Sequence, residues 1–397
     1  MIIGARTGAW VKSGSPTPAY GGLRFTAEAD NSSVQLTAVG SAPPTVTLVK
    51  SFDGVNWEAY AVGEVIDLPG TGDFVYLAAG EGGNETFTYG QTSYHRFVIN
   101  GLVAASGDIT SLRRFDLEQT TLAVRCYRFM FRDCTGLTSA PELPATTLGN
   151  YCYQSMFEGC TGLTSAPELP ATTLASNCYN NMFDSCTGLI SAPELPATTL
   201  SLNCYRYMFY GCTGLTSAPE LPATTLAGNC YYSMFEDCTG LTSAPELPAT
   251  TLSPNCYRAM FNGCTGLTNA PELPATTLAS SCYFSMFNGC TGLTSAPELP
   301  ATTLASSCYR SMFGGCTGLT SAPELPATTL VGDCYVFMFR GCTNLSLIQV
   351  HFTVWGSQTS AWVSGVSPTG TFYKPTALPE EYEEDRIPTG WTVVNIG

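Results

Sequence analysis

The chain has 397 residues, and its 31 acidic against 16 basic side chains give a formal net charge of −15. This excess of negative charge argues against a nucleic-acid partner, because phosphate backbones are bound by basic surfaces. Hydrophobic residues make up 44% of the chain, which is enough for a sizeable core. No apolar run reaches the ~18 residues of a membrane span, so we expect none.

The first 20 residues mix glycine, serine and proline around one tryptophan, Trp10. They are too few to form a core, so we expect either a flexible tail or a peptide that orders on a partner, with Trp10 as its anchor. The segment also lacks the apolar core of a signal peptide. We therefore expect either a leader that this sequence does not include or a route out of the cell other than general secretion.

Residues 21–112 form short runs rich in β-branched and aromatic residues, separated by turn signals such as Pro43-Pro44 and Asp53-Gly54. Several short strands at this spacing predict an all-β, sandwich-like domain. The motif SFDGVNW at residues 51–57 resembles a loose Asp-box hairpin, which we interpret as a folding turn rather than a binding site.

Residues 113–345 are dominated by a repeat whose clearest copy, CYQSMFEGCTGLTSAPELPATTL, spans residues 152–174. Nine copies begin at Cys126 and recur every 26 residues to Cys334, the last of them without its second half. The motif DLEQTTL at residues 116–122 echoes PELPATTL without its prolines, as expected for a terminal unit. A fixed period of this size predicts a solenoid in which each unit buries its apolar side against its neighbours.

Each repeat divides into two segments with different predicted structure. The first carries apolar side chains at helical spacing: Cys152, Tyr153, Met156, Phe157 and Cys160. Asparagine or serine before this segment and Gly159 near its end are typical of helix termini. The second segment, CTGLTSAPELP, predicts a very short strand over residues 163–166 and then an extended stretch, because its prolines remove backbone donors. The side chains that we expect inside are Leu137, Ala140, Leu143, Met156 and Phe157.

The repeat pattern C-x-x-L-x-x-A-x-x-L-P, with M-F-x-G-C closing the predicted helix, resembles the BspA-like class of bacterial surface leucine-rich repeats. That class runs C-x-x-L-x-x-I-x-I-P with A-F-x-x-C, so this chain departs by one extra residue before Leu-Pro and by a longer period. The resemblance covers about residues 122–345 and implies an α/β leucine-rich-repeat solenoid of nine 26-residue repeats, attached at a surface to host or matrix.

Two further stretches carry weaker resemblances. The β domain and the ending GTFYKP…IPTGWTV are similar to what accompanies such repeats in proteins of gut anaerobes, and IGARTGAW resembles the start of phage-encoded fibre-like proteins. Residues 346–397 predict a small β cap, because an alternating apolar run over residues 345–355 would cover the last open edge. Trp362, Phe372 and Trp391 are expected to pack over it.

All 18 cysteines lie in the repeats, as nine C-x7-C pairs. Eight residues of helix span ~12 Å, beyond the ~7 Å at which two Cα atoms can be bridged, so a disulfide within a pair is excluded if the segment is helical. CxxC spacing and repeat histidines are missing, which argues against zinc, and we predict no metal site. We interpret the cysteines as free, buried thiols, with disulfides between repeats as the main alternative.

The sequence contains no constellation that indicates catalysis. His95 and His351 fall in different modules, and neither a nucleophile–base pair nor a glycine-rich phosphate loop is present, so we expect a non-enzymatic protein without a cofactor. One acidic position recurs in the repeats: Glu142, Glu168, Glu194, Glu220, Glu246, Glu272, Glu298 and Glu324. Stacking would set these carboxylates ~5 Å apart, as a solubilising row or as a stripe for Ca²⁺ or a cationic ligand.

A second feature is sequence variation between copies, which concentrates at a few positions off the apolar stripe. Tyrosine and arginine, the residues most favoured at binding hot spots, occur there repeatedly. The candidate ligand-binding residues are Arg206, Tyr207, Tyr210, Tyr232, Arg258, Phe284 and Arg310. Drift at unconstrained surface positions is the alternative interpretation.

Together these patterns favour a non-enzymatic adhesion or receptor-recognition protein, displayed on a phage or phage-like fibre and binding a cell-surface protein or glycan. The expected location is a virion tail fibre or an extracellular cell surface. Self-association or assembly into a larger fibre would use the N-terminus. The alternatives are a bacterial cell-surface leucine-rich-repeat adhesin without its leader, and a structural spacer with no ligand of its own.

Overall fold

The structure, a computed structural model, describes residues 22–89, 92–114 and 120–396. The predicted tail with Trp10 and most of the motif at 116–122 lie outside these residues. Two short 3-10 helices occur, Ile109–Leu112 and Ser357–Thr359. The strands are β1 Leu23–Ala27, β2 Ser32–Val39, β3 Leu48–Ser51, β4 Glu58–Tyr60, β5 Val65–Leu68, β6 Phe74–Ala79, β7 Thr88–Tyr89, β8 Ser93–Asn100, β9 Val103–Ser106, β10 Thr121–Leu122, β11 Leu137–Ser139, β12 Thr147–Leu148, β13 Leu347–Gln349, β14 Thr371–Pro375 and β15 Thr392–Ile396.

Strands β1 to β9 form two sheets around one apolar core, as the sandwich-like pattern predicts. One sheet has the order β5-β2-β8-β7, and the other has the order β11-β9-β1-β6-β3-β4. All pairs are antiparallel except β11 with β9, where Leu137 lies opposite Val103. Because β11 belongs to the first repeat, the sheet of the N-terminal domain continues directly into the repeats.

The repeats form a β-solenoid, and the chain makes about 12 turns with repeats near 24–26 residues. The predicted solenoid is therefore confirmed, but the α/β leucine-rich-repeat architecture is wrong. No α-helix is present in the part of the chain that the structure describes. Each C-x7-C segment, predicted to be a helix, is a run of tight turns, which we call the turn run.

Backbone hydrogen bonds in the turn run alternate between two kinds of partner. The Met208 N–H donates to the carbonyl of Tyr205, three residues back, at 3.2 Å. The next N–H, that of Phe209, donates to the Met234 carbonyl of the following turn at 2.9 Å. Every second donor therefore ties one turn to the next, whereas an α-helix would keep all of its bonds internal.

This alternation requires left-handed backbone at every fourth residue, as at Asn203 (φ 57°), Tyr207 (φ 55°) and Gly211 (φ 66°). Asparagine and glycine adopt positive φ more readily than other residues. The asparagine, serine and glycine residues that indicated helix termini supply this conformation instead; Ser281 has φ 54° and Gly159 has φ 74°. The left-handed residues let the chain turn without forming a helix.

The PELPATT side of each turn pairs only briefly with its neighbours. Isolated parallel bridges such as Ser165 to Ser191 and Thr199 to Thr225 take the place of continuous strands. The very short strand predicted at this position is therefore reduced to single bridges in most turns. Pro167 and Pro170, which lie between the bridges at Ser165 and Thr173, remove the donors that a longer ladder needs.

The core consists of identical side chains stacked in columns. Successive tyrosines from Tyr127 to Tyr335 have ring centroids 5.7–6.1 Å apart. Successive phenylalanines from Phe131 to Phe339 lie 5.4–5.8 Å apart. These are ordinary offset-stacked distances. The core prediction is confirmed for Leu137, Leu143, Met156 and Phe157, which are buried, whereas Ala140 is half-buried.

Aromatic side chains from the flanking regions cover both ends of the columns. At the start, Phe97 stacks on Phe131 at 5.1 Å, and Phe87 stacks on Tyr127 at 6.1 Å. At the far end, Trp362 lies 6.5 Å from Tyr335 and 6.1 Å from the last phenylalanine of the column. Strands β13 to β15 form a parallel sheet there, with Trp362, Phe372 and Trp391 buried as predicted.

All 18 cysteines are buried and free. The second thiol of a pair donates to a carbonyl of the preceding turn, as Cys212 Sγ does to Phe183 at 3.0 Å. At the start of the array, Cys134 Sγ donates in the same way to the Phe97 carbonyl of β8 at 3.2 Å. Each of these thiols thus fills space in the core and satisfies a backbone acceptor.

Shortening one core methionine should test the columns. Met208 is fully buried, and we expect Met208→Ala to lower the free energy of unfolding by about 2–5 kcal/mol, because the lost methylenes leave a cavity. Urea unfolding followed by circular dichroism measures the change. The control is Thr216→Ala at an exposed position of the same repeat, which should stay within about 0.5 kcal/mol of the parent. Equal stabilities of the two variants would contradict the buried column.

The thiol assignment can be tested by counting alkylated cysteines without a reductant. In native buffer, burial should protect the thiols from iodoacetamide. After denaturation, intact-mass analysis should show adducts on all 18 cysteines. Fewer than half of them reacting after denaturation would indicate disulfides between repeats instead.

Candidate functional site

The solvent-facing side chains of the turn run form one continuous surface, which we call the turn face. On it, arginine and aromatic residues alternate over five consecutive turns, forming the Arg–aromatic column: Arg206, Tyr232, Arg258, Phe284 and Arg310. The Arg206 and Arg258 guanidinium carbons lie 4.8 and 5.4 Å from the Tyr232 ring centroid. Arg258 also lies 4.1 Å from Phe284, and Arg310 lies 5.8 Å from it. These distances are within the range of cation–π contacts.

A tyrosine cluster stands at one end of this column. The Tyr207 ring is edge-on to Tyr210 at 5.8 Å and to Tyr232 at 5.3 Å. The Arg206 guanidinium covers Tyr207 at 4.8 Å. The structure therefore brings together the neighbouring aromatic residues that the sequence singled out, and Arg310 ends the same column four turns from Arg206.

Beside the column runs a groove of about 510 Å³, the turn-face groove. Tyr232, Arg258 and Phe284 line one wall. Its other lining residues are Asn181, Asp184, Tyr207, Tyr210, Glu236, Ala259, Asn262 and Ser285. Small side chains allow this depression. Ala259 and Ser285 occupy the repeat position that Tyr207 holds two and three turns earlier.

The sequence analysis missed Asp184, Glu236 and Asn262 as site residues. They occupy the same repeat position as Tyr210, at offsets of 26 residues, and this shared position was the signal that could have identified them. Their carboxylate and amide oxygens add hydrogen-bond acceptors to a site otherwise made of arginines and aromatic rings. The groove can therefore bind both anionic groups and hydroxyl donors.

The arginines of the Arg–aromatic column are unevenly paired. Arg310 Nη1 lies 2.5 Å from Asp333 Oδ2. Among the described residues, no carboxylate lies within 4.0 Å of Arg206 or Arg258. Burial raises the pKa of Tyr232, helped by its hydrogen bond with Tyr207, so this phenol stays protonated at neutral pH. Both arginines therefore keep an unneutralised charge next to neutral rings.

The eight repeat glutamates are all exposed, as expected of a solvated row. Within the described ranges, no group of three or more histidine, cysteine, aspartate or glutamate side chains is placed to hold a metal ion. The last glutamate, Glu324, accepts a hydrogen bond from Gln349 at 3.0 Å and lies 2.6 Å from His351 Nε2. A smaller groove of about 390 Å³ near Glu298 and Glu324 is otherwise lined by proline, alanine and leucine. It has neither an aromatic ring nor a cation.

The thiols and the histidines do not form a reactive centre. Burial raises the pKa of the cysteine thiols from Cys160 to Cys342, to about 12 at Cys204 and Cys256 for example. A hydrogen bond from Cys152 lowers the pKa of Cys126, but this thiol is also buried. His95 is buried against Phe87, and burial lowers its pKa. A thiol becomes a nucleophile only as an accessible thiolate, so these cysteines are structural.

The comparisons with known proteins add no relative. Scans of protein-family models, of curated proteins and of solved structures find no match to the chain. Over the described residues, no helix is long and apolar enough to cross a membrane.

The buried thiols predict a steep loss of stability in alkali. An unfolded thiol has a pKa of ~8.5, so above this pH the unfolded chain releases protons that the folded chain retains. Between pH ~8.5 and the raised pKa of the folded thiol, each such thiol should lower the free energy of unfolding by up to ~1.4 kcal/mol per pH unit. Urea unfolding at pH 7, 8.5 and 10 measures this.

A matched variant isolates the thiol contribution. At pH 7 the free energy of unfolding of Cys264→Ala should be lower than that of the parent, because the substitution leaves a small cavity. Between pH 9 and 10 it should fall less steeply than that of the parent, because unfolding of the variant releases about one proton fewer. Parallel pH profiles for the parent and this variant, or a flat profile for both, would show that the thiols do not govern the alkaline loss.

Proposed function

We propose that the protein is a non-enzymatic recognition protein that binds a cell-surface ligand through the turn-face groove. The observation that carries this proposal is the gathering of the variable tyrosine, phenylalanine and arginine residues beside one groove. Aromatic and arginine side chains provide large contact areas and directed donors, which is why they dominate binding hot spots. The stacked columns beneath hold the groove rigidly, so little conformational entropy is lost on binding.

The distribution of large and small side chains on the turn face favours recognition over a spacer role. A spacer gains nothing from half-exposed tyrosines, and other repeats carry small residues at the same positions, such as Ser311 and Gly314 in place of Tyr207 and Tyr210. Tyr207 and Tyr210 interrupt the small and acidic side chains that the middle repeats carry at these two positions, which are large again at the ends of the array, as Phe129 with Arg132 and Phe337 with Arg340. Such a local departure is what a specific contact requires, because specificity rests on contacts that the rest of the surface does not offer.

For the cellular setting we propose display on a phage or phage-like fibre, at a virion tail or an extracellular surface, with residues 1–20 and Trp10 attaching the chain or joining copies of it. The resemblance of the IGARTGAW opening to phage-encoded fibre-like proteins supports this setting. The alternative is a bacterial surface adhesin of BspA-like type. It rests on the repeat pattern alone, since the described residues form no α-helix.

The test uses substitutions that the repeats themselves supply. Tyr207→Ser, Tyr210→Asn and Tyr232→Gln introduce the residues that Ser233, Asn262 and Gln154 provide at the same repeat positions. Ser233 also has positive φ (52°), so the backbone of Tyr207 accommodates serine. We expect this triple variant to unfold like the parent and to lose binding to target cells or a glycan array by at least about tenfold, the weight of a hot-spot residue.

A second triple variant serves as the control on the other surface. Glu194→Gln, Glu220→Gln and Glu246→Gln remove three charges from the exposed row without touching the groove. This variant should bind like the parent. Loss of binding in the glutamine variant alone would move the site to the PELPATT side. Unchanged binding in both variants would contradict the groove as the binding site and place that site elsewhere on the protein, whereas no binding by the parent would favour the spacer.

A further inference from the structure

We propose that the ligand of the Arg–aromatic column is an acidic polysaccharide with one negative charge per disaccharide, lying along the solenoid axis. This inference rests on the proposed function, because it names the ligand class for the same face. Three observations carry it: the stacking of the guanidinium groups, the lack of a carboxylate partner at Arg206 and Arg258, and the spacing of the arginines along the column.

The aromatic rings of the column support cations rather than forming an open platform for a sugar. Tyr232 lies between Arg206 and Arg258, and Phe284 lies between Arg258 and Arg310. A guanidinium stacked on a ring keeps its in-plane N–H groups free to donate, and its planar fork matches a carboxylate or sulfate. The column therefore presents fixed anion-binding groups, whose side-chain entropy is already lost before a ligand arrives.

Two of the three arginines of the column lack an anionic partner within the described residues. No carboxylate lies within 4.0 Å of either Arg206 or Arg258, and Arg206 Nε is buried without a hydrogen-bond partner. A half-buried cation without a counter-charge is costly, and an incoming anion restores the missing interaction. A neutral ligand would leave both charges uncompensated.

The spacing of the arginines defines the charge pattern of the ligand. Arg206, Arg258 and Arg310 recur every 52 residues, which is two turns of the solenoid. Neighbouring hydrogen-bonded turns are ~4.8 Å apart, so successive arginines are about 10 Å apart along the axis. This distance is close to the length of one disaccharide in an extended β-linked polysaccharide. A nucleic-acid strand, with a charge every ~3.4 Å, does not match it.

The acidic and amide side chains that line the groove favour a sugar over an acidic peptide. Asp184, Glu236 and Asn262 present acceptor oxygens along the groove. Sugar hydroxyls can donate to these oxygens while an acidic group of the same polymer pairs with an arginine. A glutamate-rich peptide would instead bring like charges against Asp184 and Glu236, and like charges in a groove repel.

The test measures binding of four soluble probes by calorimetry. The probes are hyaluronan oligosaccharides with one carboxylate per disaccharide, neutral chitin oligosaccharides, oligogalacturonate with one carboxylate per sugar, and polyglutamate. We expect the parent protein to bind hyaluronan oligosaccharides most tightly. Arg206→Gln and Arg258→Gln, which introduce the residue found at Gln154, should each weaken that binding by about tenfold, as loss of a charge-assisted hydrogen bond predicts.

Arg24→Gln is the matched control. Arg24 is also stacked on two rings, 4.3 Å from Phe74 and 5.7 Å from Tyr76, but it lies in the N-terminal domain. Its substitution should leave hyaluronan binding unchanged. Equal binding of chitin oligosaccharides, equal or tighter binding of oligogalacturonate or polyglutamate, or unchanged binding in both column variants would overturn the proposal.

The same measurements separate this inference from the proposed function. If the parent binds cells and the tyrosine variant does not, while hyaluronan oligosaccharides bind neither protein, the ligand class is wrong and the recognition role stands. If the parent binds neither cells nor any of the probes, both proposals fail together.

Discussion

The hydrogen bond between a backbone N–H of one turn run and a carbonyl of the next, such as Phe209 to Met234, imposes the 26-residue register on the repeats. Because every second donor of the run is used in this way, an insertion in one repeat would displace all of its bonds together. The register in turn places like side chains above one another, so the tyrosine, phenylalanine and cysteine columns follow from it. Ends of such an array need aromatic covers, which Phe97 and Trp362 provide.

A core built from identical columns leaves little room for variation inside. A larger side chain in one turn would collide with its copies above and below, because interiors are packed without spare volume. Positions on the turn face lack this constraint, so their side chains can change, and a binding site can form there, without disturbing the fold. The groove illustrates this, since it exists where Tyr207 and Tyr210 stand beside Ala259 and Ser285 on an otherwise unchanged backbone.

The sequence predicts the solenoid, its period and most of its core, because a strict repeat leaves few other ways to bury Met156 and Phe157. The α-helix that the sequence predicts for each C-x7-C segment is wrong for a physical reason. The left-handed residues of the turn run recur every four positions, as at Asn203, Tyr207 and Gly211, and a four-residue period resembles the 3.6 of a helix. Asparagine and glycine do not resolve the ambiguity, because both helix termini and left-handed turns use them. At the site, the 26-residue offsets predict which residues are neighbours, but not that guanidinium groups cover the rings.

The net charge of −15 is compatible with an acidic ligand. Long-range electrostatics mainly changes the rate of association, whereas contacts within the complex mainly change the affinity. Charges of like sign slow the diffusional encounter, whereas affinity depends on the groups that meet in the complex. At physiological salt the Debye length is ≈ 8 Å, so exposed glutamates beyond that distance contribute little once a polymer is seated against Arg206 and Arg258. A largely acidic surface disfavours polyanions, whereas the column offers Arg206 and Arg258, which have no carboxylate partner and are held in place by the rings. Selectivity for a polymer with widely spaced charges follows, since a denser polyanion would set its extra charges against the acidic wall formed by Asp184 and Glu236.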